Sequence, residues 1–384
     1  MQSRRACLTR TLALGCSAAA SPLVTPVTFA AAPGDNRLVV IILRGGMDGL
    51  DVVRPLGDSS LKTLRPSLEA DASLPIGDYF GLHPALEDLM PLWAAGELSF
   101  AHAVSTPYRD KRSHFDGQDI LEAGVSGSDV GEDGWLNRVV STLPNATTET
   151  AFAVGRENLR LLAGPAPTST WSPDSDLDLS PQAQLLLRKI YAQDALFENA
   201  ATRAMELADL TEDPMNTRRA NRAAALAAFA AGRLKDDTRI AAFSINGWDT
   251  HANQSRTLSN ALTELSRALT TLKRDLGPVW NKTAVLCLTE FGRTVRENGS
   301  RGTDHGTGGA AIFAGGALKG GKVLGNWPGL ASENLYQDRD LMPTGDIRSF
   351  AAWALTVLFP VKKGVLETAI FPGLEMGENP GLIA

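Results

Sequence analysis

The sequence predicts an α/β protein built on a doubly wound, mostly parallel sheet flanked by helices, with a helical insertion. Three observations carry that prediction. Leu38-Val39-Val40-Ile41-Ile42-Leu43 is an unbroken apolar run rich in β-branched residues, the pattern of a strand covered on both faces. Leu258, Leu262, Leu265, Leu269, Leu272 and Leu276 step by four and three, so they line one stripe of a helix that Gly277-Pro278 closes. Apolar runs at Arg239 to Ile245 and Ala284 to Leu288 bracket that helix, and each ends on a polar loop. Strand, helix, strand in that order implies parallel strands joined by a helical crossover.

Taken from the start, the chain opens as an export leader over residues 1–32. Ser3-Arg4-Arg5 precedes an Ala-rich apolar run, and Phe29-Ala30-Ala31-Ala32-Pro33 offers small residues for cleavage. The paired Arg points to the twin-arginine export machinery, with Cys7 and Thr9 where that signal usually carries Phe and Lys. The expected location is therefore periplasmic or secreted. Cys7 and Cys16 fall inside the leader, which leaves Cys287 alone in the mature chain, mid-strand and expected to be buried and inert. No later stretch has the ~20 consecutive apolar residues of a membrane span. A formal charge of -6 with scattered Lys and Arg argues against binding to nucleic acid or an anionic membrane.

Residues 36–384 read as one domain. Its first strand stops at Arg44-Gly45-Gly46-Met47-Asp48-Gly49, and a loop carrying Pro55, Pro66 and Pro75 follows. Pro84 starts a helix with Leu86, Leu89, Met90 and Trp93 on one side, closed by Gly96. Leu98 to Val104 is a strand that delivers Arg112-Ser113-His114-Phe115-Asp116. Between Gly124 and Pro181 the pattern weakens to irregular surface with short strands at most, around Ala151. Gln182 to Leu210 and Thr217 to Leu234 are helical in composition, broken at Asp213-Pro214, and form the insertion over about 181–235. The strand from Arg239 ends on Asn246-Gly247-Trp248-Asp249-Thr250-His251. The stretch from Thr283 to Gly316 then packs two strands and two polar loops together, and Asp346 to Leu358 is a last amphipathic helix.

The polar residues at these strand ends are Asp48, Ser113, His114, Asp249, His251, Glu290, Asp304 and His305. Ligands of open α/β sheets bind at the carboxyl ends of the strands, so these residues are the candidate site. They include three of the five histidines of the chain; His83 and His102 lie apart and read as structural. Carboxylates mixed with imidazoles suit one or two divalent ions (Zn²⁺, Mn²⁺ or Mg²⁺) rather than soft metals. Such ions can clamp a phosphoryl or sulfuryl oxygen. Ser113 reads equally as a nucleophile or a helix cap, and His114 as a ligand, a base or a packed ring. Arg44, Arg112 and Arg293 neighbour the acids, either to bind an anionic substrate or to neutralise carboxylates. No Walker loop or Rossmann fingerprint is present, so nucleotide use is unsupported.

The segments LRGGMDGLDVVRP, RSHFDGQD, GWDTHANQ, LTEFGRTVRENGS and GTDHGT resemble the signatures of the DUF1501 family. That family comprises exported bacterial proteins related to the alkaline phosphatase and sulfatase superfamily, and the resemblance covers nearly the whole mature chain. It implies an alkaline phosphatase-like fold, a metal-binding Asp after the first strand at Asp48, and a nucleophile at Ser113. Asp249 and His251 would supply a metal, standing closer together than the superfamily's usual pair. Glu290-Phe291-Gly292 replaces the superfamily's later Asp-His pair, and His305 would be its final His, with Asp304 beside it. The expected activity is metal-dependent hydrolysis of a phosphate or sulfate ester, on an anionic small molecule or glycan. The alternative is a noncatalytic binding or assembly protein on a degenerate hydrolase scaffold.

Overall fold

The structure, a computed structural model, describes residues 34–68, 72–125, 131–155, 157, 159–172 and 222–383. The leader and the helix expected over Gln182 to Leu210 lie outside the described residues. In chain order the main sheet takes β1 (Arg37–Arg44), β2 (Leu98–Ser105), β3 (Ala151–Val154), β4 (Ser169–Trp171), β5 (Ile240–Asn246), β6 (Thr283–Leu288) and β7 (Gly309–Ala314). Two short pieces, β8 (Val323–Leu324) and β9 (Gly345–Asp346), complete it. The spatial order is β8-β2-β7-β6-β1-β5-β3-β4, with β9 also beside β2. Neighbours pair in parallel except where β7 is involved, which runs against both β2 and β6. The expected doubly wound, mostly parallel sheet is therefore what forms.

Both faces of β1 are buried, as its continuous apolar run requires. Val39, Ile41 and Leu43 join one core, and Leu38, Val40 and Ile42 join the other, all at 0% exposure. The helices that cover the sheet are α1 (Gly49–Val52), α2 (His114–Ala123), α3 (Trp135–Thr142), α4 (Arg222–Lys235), α5 (Gln254–Leu276) and α6 (Ile347–Leu358). The leucine stripe of α5 is wholly buried in the first core, together with the small-residue face of α4 at Ala223, Ala227, Ala230 and Ala231. Each such leucine contributes about 1.5–3 kcal/mol. The second core takes Trp135, Leu136, Val139 and Val140 of α3 and Phe350, Ala351, Ala354 and Leu355 of α6.

Two local differences from the sequence reading have plain causes. The segment from Pro84 divides into a 3-10 turn (Pro84–Leu89) and a short helix (Met90–Ala94), since Pro91 has no N–H to continue the ladder. α3 sits inside the stretch read as irregular, because eight residues are too few to show a helical period.

The reversal at β7 positions the site. β6 ends and antiparallel β7 begins at the same edge of the sheet, so the whole loop between them, 289–308, stays at the carboxyl ends of β1, β5 and β6. Acid, Arg and His from that loop are thereby held beside the loops after β1 and β5.

Candidate metal centre

The site is assembled from four backbone segments that approach too closely for side chains. Gly45 has φ +126°, and a Cβ there would stand 2.5 Å from the backbone N of Asp249. Only glycine fits that conformation and that contact. Gly306 plays the same part beyond β6, where a Cβ would lie 2.4 Å from the carbonyl carbon of Arg293. An isolated bridge pairs Arg293 with His305, so the two sides of the 289–308 loop are zipped together.

Three imidazole nitrogens converge on one carboxylate oxygen. Asp249 Oδ1 lies 3.0 Å from His251 Nε2, 3.3 Å from His305 Nε2 and 3.5 Å from His114 Nε2. The Nε2 atoms of His251 and His305 are themselves 2.9 Å apart. Ligand atoms of His114, Asp249 and His305 all fall within 4.8 Å of one another. These groups come from α2, the loop after β5 and the loop before β7.

The outward nitrogens fix the tautomers. His114 Nδ1 is 2.8 Å from Glu290 Oε1, His251 Nδ1 is 3.1 Å from Asp304 Oδ1, and His305 Nδ1 is 2.9 Å from the carbonyl of Arg112. Carboxylates and carbonyls only accept, so each Nδ1 carries a proton, and each Nε2 turned toward Asp249 Oδ1 has either a proton for that carboxylate or a lone pair for a cation. His114 Nε2 is buried and has no hydrogen-bond partner. An imidazole whose far N–H is held by an oxygen is how a metal-binding histidine is oriented. Phe291 fixes the rings from below, stacked on His114 at 5.0 Å between centroids and 5.1 Å from His305.

Glu290 and Asp304 therefore brace histidines instead of entering the cluster. Glu290 is fully buried, and its Oε1 accepts from Gly45 N (2.9 Å), Gln118 Nε2 (3.1 Å) and the His114 ring. Burial raises its pKa, but the bonds from His114, Gln118 and Gly45 outweigh burial and hold the carboxyl below its ordinary range. The bond to Glu290 in turn raises His114 above the usual imidazole value, against burial. His305 is lowered, chiefly by burial. Asp249 is pushed up by burial, yet the charges of Arg293, His251 and His114 prevail and lower it. The Arg293 side chain is 0% exposed, with Nη2 3.0 Å from Asp249 Oδ1. Beyond that ion pair, Nε, Nη1 and Nη2 have no hydrogen-bond partner.

Asp48 stands outside the cluster. Its Oδ1 caps α1 through Leu50 N (3.1 Å) and Asp51 N (3.2 Å). Its Oδ2 takes Arg65 Nη1 (2.8 Å), Gln254 Nε2 (2.7 Å) and Thr303 Oγ1 (3.2 Å). Every acceptor position of this carboxylate is filled by the chain. Ser113 Oγ caps α2 by accepting from Asp116 N at 3.3 Å. Arg44 is drawn to Glu122 (2.6 Å), Glu157 (3.1 Å) and Gln118 (2.6 Å), not to the cluster. Arg112 is exposed beside His305 with φ +55°. Sequence reasoning passed over Gln118, Gln254 and Phe291, although all three lie within the motifs quoted above.

Fold and side chains together define a doubly wound α/β protein with a histidine–carboxylate centre at the carboxyl edge of its sheet. Residues 99–352 match the family described as "Protein of unknown function (DUF1501)", and the chain belongs to that family. No curated protein matches it in sequence. Among solved structures, a protein of the alkaline phosphatase superfamily from Vibrio parahaemolyticus is similar at 12% identity and TM-score 0.36, over 85% of this chain and 67% of the other. Ps i-CgsB is similar at 12% identity and TM-score 0.43, over 91% and 77%. The lipoteichoic acid synthase LtaP from Listeria monocytogenes is similar at 9% identity and TM-score 0.36, over 68% of this chain and 57% of LtaP.

Proposed function

We propose that the protein is an exported hydrolase of phosphate or sulfate esters that works with one divalent cation. His114, Asp249, His251 and His305 would hold the ion, braced by Glu290, Asp304 and the Arg112 carbonyl. The observation that carries this reading is the convergence of three imidazole Nε2 atoms on Asp249 Oδ1. Two Nε2 atoms 2.9 Å apart need a proton or a cation between them, and Asp249 Oδ1, which a third imidazole also faces, lies 3.0 Å and 3.3 Å from the pair. Tetrahedral ligands at zinc's bond lengths of ~2.0–2.1 Å stand about 3.3–3.4 Å apart. The separations of 2.9–3.5 Å around Asp249 Oδ1 and the two rings fit that donor set. A single ion is favoured over two because Asp48, the ligand implied by resemblance, has no acceptor left.

When bound, the cation would polarise the ester's oxygens and lower the pKa of water. The protein's own groups supply the rest. Arg293 sets a buried positive charge beside Asp249, and exposed Arg112 adds one at the mouth, so the centre favours an anionic ester. Water adds to phosphorus or sulfur, the ester oxygen departs with a proton, and an alcohol and the inorganic acid result. Ser113 is a helix cap in this scheme. Among the described residues no helix is long and apolar enough to cross a membrane, which is compatible with export through the leader.

The test is elemental analysis of the purified mature protein, followed by assays on aryl phosphates and aryl sulfates. About one zinc or manganese per chain with turnover, both lost in His305→Ala, is the expected result. Ser113→Ala should keep turnover and cost about 1 kcal/mol of stability as a lost cap; abolished turnover in a folded, metal-loaded Ser113→Ala would make Ser113 the nucleophile instead. A folded protein that takes up no metal and turns over nothing supports the noncatalytic binding reading.

A further inference from the structure

Beside the metal centre, at the carboxyl ends of β3 and β5, lies a cavity of about 410 Å³. That volume is within the range of about 300–1,000 Å³ typical of small-molecule sites. One wall is aliphatic, from Val154, Leu226 and Ile245. The other is polar, from Glu157, Ser244 and Asn246, with Arg222 and Glu264 also lining it. The polar wall is built. Glu157 accepts from Ser244 Oγ and from Asn246 Nδ2 (2.6 Å) and faces Arg44 Nε at 3.1 Å. Arg44 Nη1 donates to Gln118 Oε1 (2.6 Å), and Gln118 Nε2 donates to the same Glu290 oxygen that holds His114. The cavity and the centre thus share one frame of hydrogen bonds joined by the Arg44–Glu157 ion pair, and Asn246 and Gly247 of its lining stand just before Asp249 in the chain.

We propose that this cavity seats an uncharged polyhydroxy group, the sugar or polyol part of the ester cleaved at the centre. Its link to the ester rests on the hydrolytic reading above; its recognition of a polyol does not. The argument is charge and hydrogen-bond matching. Both carboxylates of the lining are already matched, Glu157 by Arg44 (3.1 Å) and Glu264 by Arg267 (2.8 Å), and an amide and a hydroxyl stand beside them. A charged group therefore gives up its water without gaining an unmatched counter-charge. Hydroxyls both donate and accept, so they pair with carboxylate, amide and guanidinium alike. The C–H face of a sugar ring has the aliphatic wall to cover it, which removes that wall from water.

Ligand-observed NMR on the whole mature protein, with glucose and glucuronate as probes, tests this. Glucose should bind to wild type and to His305→Ala alike, since the cavity does not need the metal. Glucuronate should bind at least about tenfold more weakly, and Asn246→Trp, at an exposed position that fills the mouth, should weaken glucose at least about tenfold without changing metal content. Asn246→Ala, which removes the amide and leaves the wall, should weaken it too, and serves if the larger side chain upsets folding. Absence of glucose binding in wild type, glucuronate binding as tight as glucose, or binding unchanged in both Asn246 variants overturns the proposal. Glucose binding that persists in a metal-free, inert protein keeps the polyol site and overturns the hydrolytic reading alone.

Discussion

Asp48 and Asp249 follow β1 and β5, adjacent parallel strands, so both carboxylates reach the same edge of the sheet. Their surroundings are opposite. Asp48 is 1% exposed and receives four donors, from two backbone amides, a guanidinium and an amide, with the Thr303 hydroxyl shared between it and Gln254 Oε1. The Asp249 side chain is 46% exposed, and its Oδ1 faces three imidazole nitrogens, whose Nε2 atoms can each take a proton or a cation, and the Arg293 guanidinium. The chain answers Asp48 with fixed donors, whereas the partners of Asp249 Oδ1 are mostly imidazole nitrogens that can exchange a proton for a cation. A strand-end acid is a ligand site only where the protein withholds the donors that would saturate it.

Breaking the Asp48 side of this contrast should give the largest effect. Asp48→Ala strands the Arg65 guanidinium, whose side chain is 2% exposed and pairs with Asp48 at 2.8 Å. Losing one partner of a buried ion pair costs about 3–5 kcal/mol, read by urea denaturation. Whatever fraction stays folded should keep its metal. Loss of metal from a folded Asp48→Ala protein, or a cost under about 1 kcal/mol, would erase the distinction between the two acids.

Glu290→Gln sharpens the other side. The fold should persist, since an amide oxygen can still accept from Gly45 and Gln118, but His114 loses its charged brace. Metal affinity should fall about 10- to 100-fold, measured by competition with a chelator. An unchanged affinity would show that His114 is not a ligand.

How much of this was legible beforehand follows from the same contrast. The doubly wound sheet was readable because β1 and α5 carry their periods without interruption. The membership of the cluster was half readable: Asp249, His251 and His305 sit in motifs with few other uses for a histidine. Roles were not, because they depend on which acceptor each group meets. Glu290 and Asp304 are acids on the right loop, yet an antiparallel β7 and the Gly292–Gly306 pairing turn them toward imidazole N–H groups. Asp48 was read as a ligand because nothing in the sequence shows Arg65 and Gln254 arriving from 17 and 206 residues away. His114 was left open among three roles, and only the Nδ1 bond to Glu290 separates them.

The smallest expected effect concerns pH, and its shape depends on whether a cation is present. In the metal-free chain His114 is raised by its bond to Glu290, so its contribution to stability is full below the ordinary imidazole value of about 6.5 and fades as pH rises through its folded value. His305 is lowered by burial, so its contribution has the opposite sign, present above about 6.5 and lost on acidification through its folded value. The two oppose each other, and urea stability in the presence of chelator should vary little between about pH 5 and 8. With zinc bound, every Nε2 must be free of a proton, and the raised His114 begins to compete for one above about pH 6.5. Stability in zinc should then fall steeply on acidification and converge on the chelator curve. Parallel curves with and without zinc would mean that the three inward nitrogens share a proton and hold no metal, and the Asp249 cluster would join Asp48 as a closed piece of the fold.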